Sequence, residues 1–208
     1  MENRDRVDFF NKRFQIIREI AFRPILKILT HLNVTSNSIT NLRFLGAVLF
    51  YIFFQENPIG STFLLLIVLV LDTLDGAIAR FQGVASDRGK FLDVFIDHVV
   101  YSLVVLVIFN TEKNLQPIAY HLFIIPVVYL LATIKKEEFH KSDWLIKVYP
   151  RLSYLKALVI ASFFLNIFIK IDLIPQAILL SNTIATLLSV YYFLYIQVRW
   201  NKIPIILK

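Results

Sequence analysis

The chain has 208 residues, 57% hydrophobic and 18% charged, with 19 phenylalanines and a mean hydropathy of +0.66. That excess of apolar residues excludes an ordinary soluble domain and points to a chain with lipid as its solvent. The lack of cysteine excludes disulfides and thiolate chemistry, and the net charge of +7 reads as membrane topology and anionic headgroups rather than nucleic acid.

Residues 1–35 come first and are basic. Met1 to Lys27 lacks a compact apolar run and does not resemble a cleaved signal peptide. Between about Val7 and Leu32, Phe9, Phe10, Phe14, Ile17, Ile20, Ala21 and Leu29 form an apolar stripe with basic residues on other faces. This predicts a helix lying in the cytoplasmic interface, with a solvated arm as the alternative.

Six helical spans are expected next, near residues 39–55, 61–82, 88–110, 117–134, 153–170 and 174–198. Their apolar runs are continuous and approach the roughly 20 residues that cross a core of about 30 Å, without the alternation of a barrel. Turn chemistry separates them at Asn57-Pro58, Gly83, Asn110 to Pro117 and Lys170 to Pro175. Seven Lys and Arg residues precede the first span and none follows it up to Gly60, and the excess then alternates along the chain. The positive-inside rule therefore predicts both termini in the cytoplasm. The expected fold is an all-α integral membrane protein, a single domain over 1–208 with its six-span bundle at 39–198.

Four carboxylates stand out. Asp72 and Asp75 are spaced i, i+3 on the second span, and Asp93 and Asp97 are spaced i, i+4 on the third. A short bend between those helices lets all four converge near their cytoplasmic ends. Such a cluster is costly in a membrane without a cation, and hard oxygen ligands suit Mg²⁺ or Mn²⁺, expected as two ions. An ion pair of Arg80 with Asp75 or Asp97 is the structural alternative, but it balances one of four charges.

These residues carry a resemblance. Asp72-x-x-Asp75-Gly76-x-x-Ala79-Arg80, eight residues, Gly89-x-x-x-Asp93-x-x-x-Asp97 resembles the CDP-alcohol phosphotransferase signature at every defined position. Asn37-Ser38-Ile39-Thr40 is similar to the Pro-Asn-x-x-Thr motif of that family, with Ser36 in place of Pro. The resemblance implies transfer of a phosphatidyl-type group from a CDP-lipid, diacyl or ether, to an alcohol with release of CMP. It implies that Asp72, Asp75, Asp93 and Asp97 hold the metals and that Asp97 is the general base. It also places Asn37, Thr40, Asp72, Gly76, Ala79, Arg80, Ser86 and Gly89 on the CDP-lipid, and implies a homodimer among membrane lipids.

The acceptor is less legible. Lys135, Lys136, Arg151 and Lys156 could hold an acceptor phosphate such as that of glycerol 3-phosphate or inositol phosphate, or could simply be cytoplasmic charge. Lys156 differs from the rest because it lies inside a span, where a cation needs a partner. A cation- or proton-coupled transporter would also need intramembrane carboxylates, but near midplane and often in inverted repeats. No such counterpart is visible in the last three spans.

Overall fold

The computed structural model describes residues 22–84, 87–112, 114–138 and 152–200, and among these every regular element is a helix. Helix α1 covers residues 22–31, followed by α2 (Ser36–Phe53), α3 (Pro58–Phe81), α4 (Asp87–Thr111), α5 (Leu115–Glu138), α6 (Leu152–Phe164) and α7 (Ile174–Trp200). A π-helical turn, Leu165–Ile169, extends α6. The N-terminal part of the expected interfacial helix, up to Ala21, lies outside the described residues.

The helices start and stop for local reasons. Helix α1 ends at Asn33, whose φ of 56° lets the Asn33 and Val34 amides donate back to the carbonyls of Thr30 and Leu29. Thr35 then caps α2 by accepting from the Ser38 amide at 3.2 Å. Asn57 caps α3 in the same way through the Gly60 amide at 2.9 Å, with Pro58 at the first helical position. Helix α3 closes at Gly83, whose φ of 70° lets the Gly83 and Val84 amides donate to Arg80 and Ala79. Asp172 accepts from the Ile174 amide at 3.2 Å where α7 begins.

Among the described residues, five helical segments are long and apolar enough to cross a membrane: Pro58–Phe81, Leu92–Thr111, Leu115–Thr133, Leu152–Ile169 and Ile174–Val198. They match the last five expected spans. The first expected span, 39–55, forms as α2, but its opening half carries Ser36, Asn37, Ser38, Thr40, Asn41 and Arg43. At 18 residues α2 is about 27 Å long. Its apolar part alone does not span.

The chain divides into two compact units, with the division after Val100 inside α4. In the N-terminal unit, Leu26 of α1, Ile39 of α2 and Leu74, Ala77 and Ile78 of α3 form a buried cluster. Helices α2 and α3 approach closely at Gly46, where an added Cβ would lie 2.7 Å from a Val68 methyl carbon. Gln82 Nε2 donates to the Val34 carbonyl at 3.0 Å, tying the end of α3 to the turn between α1 and α2.

The C-terminal unit holds a buried polar relay. His121 Nδ1 donates to Asn182 Oδ1 at 2.6 Å, its Nε2 accepts from the Tyr101 hydroxyl, and Asn182 Nδ2 donates to the Pro117 carbonyl at 2.8 Å. His121 is fully buried, so this tautomer follows from its acceptor on α7. Asn182→Leu is expected to lower stability by about 1–3 kcal/mol, because His121 and the Pro117 carbonyl lose their partners. A thermal midpoint in detergent equal to that of the unaltered protein would rule out this contribution.

Candidate metal and nucleotide-lipid site

Helix α3 projects Asp72 and Asp75 one turn apart, and α4 projects Asp93 and Asp97 one turn apart. Asp72, Asp93 and Asp97 each offer an oxygen within 4.8 Å of the others. Their side chains are 40–44% exposed, whereas that of Asp75 is 5% exposed. Asp75 instead accepts hydrogen bonds from the Ser36 and Thr40 hydroxyls on the first turns of α2. The four carboxylates do converge, but three are open and one is enclosed.

Between them lies Arg43 of α2. Its Nη1 stands 2.6 Å from Asp93 Oδ1 and 3.4 Å from Asp75 Oδ2, while Nη2 stands 2.5 Å from Asp97 Oδ1 and also pairs with Asp72 Oδ1. Arg43 is 1% exposed, and its Nε has no hydrogen-bond partner among the described residues. Sequence reasoning considered Arg80 as the cation beside the aspartates and passed over Arg43. The signal was present, since an arginine within an expected span demands the same explanation as an aspartate there.

A cavity of about 510 Å³ adjoins this cluster, within the usual range for a small-molecule site. Asn37, Asp75, Gly76, Ala79, Arg80, Gly89 and Asp93 line it, with Thr35, Ser36, Gln82 and Val84. A Cβ on Gly76 would meet Arg80 Nη1 at 3.3 Å, so glycine keeps the backbone open beside that guanidinium. Thr40 is not on the wall; it holds Asp75 from behind. Ser86 and Arg151 lie outside the described residues, and the Lys135 side chain is likewise not described. His98 Nδ1 lies 2.7 Å from the Val94 carbonyl one turn back, in keeping with a structural role.

Lys156 belongs to the C-terminal unit. It is 9% exposed, with Nζ 4.7 Å from the ring centroid of Tyr129 and 5.4 Å from that of Tyr101. The partner expected for a cation inside a span therefore includes two aromatic faces.

Could these residues hold a divalent cation? Magnesium–oxygen distances near 2.1 Å place opposite ligands about 4.2 Å apart, close to the spread of the three carboxylate oxygens. Arg43 offsets one of four negative charges. The donor set fits a hard cation.

Residues 33–195 match the CDP-alcohol phosphatidyltransferase family. The chain belongs to it. Together with the five apolar helices, that membership makes the protein a multi-pass integral membrane phosphatidyltransferase-family member. It is similar to the archaetidylinositol phosphate synthase of Pyrococcus horikoshii, 40% identical over 74 residues, which is 35% of this chain and 39% of that protein. It is also similar to the archaetidylinositol phosphate synthase of Aeropyrum pernix, 45% identical over 47 residues, 23% of this chain and 24% of that protein. The chain thus matches well under half the length of these relatives. No solved structure is significantly similar to it.

Within this phosphatidyltransferase family member, the departure at Ser36 acquires a physical role. A proline there has no side-chain donor, whereas the Ser36 hydroxyl donates to Asp75.

Proposed function

We propose that this phosphatidyltransferase moves a phosphatidyl-type group from a CDP-lipid, diacyl or ether, to an alcohol and releases CMP. The observation that carries the reading is the gathering of Asp72, Asp93 and Asp97 oxygens within 4.8 Å, with Asp93 also on the cavity wall. Asp72, Asp75, Asp93 and Asp97 would hold two Mg²⁺ or Mn²⁺ ions, which supply charge stabilisation for displacement at phosphorus. Asn37, Gly76, Ala79, Ser86, Gly89 and Arg80 would cradle the CDP-lipid, Arg80 neutralising a phosphate oxygen, while Thr40 would steady Asp75. Asp97 takes the proton from the acceptor hydroxyl, whose oxygen bonds to the lipid-side phosphorus as the bond to CMP breaks.

The surrounding architecture belongs to the same proposal. Six spans, with α2 completed by flanking residues, place both termini and the site at the cytoplasmic face, where the basic segments lie. Helix α1, the described part of the basic N-terminal segment, would lie along that interface, and the chain would work as a homodimer. The ions, CDP-lipid and acceptor would meet where lipid tails stay among helices and the diphosphate reaches water.

The acceptor we propose is inositol phosphate. Both relatives are named for making archaetidylinositol phosphate, the kind of product that transfer to inositol phosphate would give, and Lys135, Arg151 and Lys156 offer positive charge for the acceptor's phosphate. Purified protein given CDP-diacylglycerol or an ether analogue should release CMP with inositol phosphate, and much less with serine or free inositol. Lys156→Gln should raise the acceptor KM about 10- to 150-fold, the effect of one charge-assisted contact worth roughly 1.5–3 kcal/mol, with a far smaller change for the CDP-lipid. A preference for serine, or an unchanged acceptor KM in the variant, would remove the phosphate-binding proposal.

A further inference from the structure

Arg43 is not explained by the proposed chemistry as set out above. It is carried by α2, while the carboxylates it touches sit on α3 and α4. The guanidinium is a rigid planar fork, so its two terminal nitrogens fix directions as well as charge. Its closest approaches are to Oδ1 of Asp72, Asp93 and Asp97, and to Oδ2 of Asp75. Both oxygens of Asp75 are engaged, since Ser36 bonds Oδ1 and Thr40 shares Oδ2. The other three aspartates are those whose oxygens come within 4.8 Å of one another.

Resting on the metal-site reading above, we infer that Arg43 is a positioning residue: its fork grips one oxygen of each open aspartate and thereby sets the carboxylates for divalent cations. A buried cation could act in the opposite sense, repelling a divalent ion and weakening its binding. The geometry favours positioning. Three carboxylates from two helices, half-exposed and mutually repelling, would swing apart without a common donor, and α2 brings that donor from a third helix. Groups that orient metal ligands in this way typically contribute 10- to 100-fold in metal affinity.

The test is direct Mn²⁺ binding to the full chain in detergent, followed by electron paramagnetic resonance of the free ion, with no turnover required. Arg43→Gln should weaken binding about 10- to 100-fold. Arg43→Lys should recover part of the loss, because it keeps the charge but loses the planar fork. A purely structural role would lower the thermal midpoint of the variants and leave the Mn²⁺ affinity of the folded fraction unchanged, which overturns the inference. Tighter Mn²⁺ binding in Arg43→Gln would make Arg43 a competitor and overturn it too. Should Arg43→Gln fail to fold, Arg43→Lys decides, and an affinity equal to that of the unaltered protein defeats the proposal. Unaltered protein that binds no Mn²⁺ would overturn the metal-site reading and this inference together, whereas unaltered protein and both variants binding equally would sink the inference alone.

Discussion

Asp97→Asn should nearly abolish CMP release while leaving CDP-lipid binding largely intact. Asparagine keeps the shape of the side chain and can still accept from Arg43 Nη2, which stands 2.5 Å from Asp97 Oδ1. What it loses is the negative charge and the capacity to take a proton at neutral pH. Removing a general base typically costs 10²- to 10⁴-fold in rate, and loss of a contribution to the metals adds to that. The cavity wall does not include Asp97, so the surface offered to the CDP-lipid stays as it was. The checks are single-turnover CMP release and CDP-lipid binding measured on the same preparation. Turnover near that of the unaltered protein would remove Asp97 from the mechanism.

Chelation is expected to have an effect of similar size. Four carboxylates meet with Arg43 among them, so the oxygens of Asp72, Asp93 and Asp97 repel one another unless further positive charge arrives. Protein stripped with a chelator should lose turnover, and Mg²⁺ or Mn²⁺ should restore it, whereas monovalent salt at the same ionic strength should not. Full activity in stripped protein would leave Arg43 as the whole of the charge compensation and make the cluster a structural ion-pair network.

The helices were legible because long apolar runs, Asn57-Pro58 and Gly83 mark their limits by local chemistry alone. Asp72 and Asp75 were legible as a pair for the same kind of reason, since an i, i+3 spacing fixes a shared face. It does not fix depth. That Asp75 is enclosed while Asp72 is open depends on α2 delivering Ser36 and Thr40 to one carboxylate and not the other, a tertiary fact without a period in the sequence. Arg43 was missed because it fell within an expected apolar span, and its role depends on which helices flank it. Lys156 shows the converse: the need for a partner was readable, but the Tyr101 and Tyr129 rings that meet it come from two other helices. The first span was placed correctly as a helix, yet the polarity of its opening half serves Asp75 and the cavity rather than lipid.

All four aspartates of the cluster, the arginine among them and all lining residues of the adjoining cavity precede Val100 in the chain. In evolutionary terms, the residues proposed for the chemistry and those proposed for the acceptor then lie on separate stretches of the gene. Substitutions at Lys156 and its aromatic neighbours could change the alcohol accepted without passing through variants that lose the carboxylates. A lineage could therefore acquire a new headgroup while continuously retaining the transfer reaction.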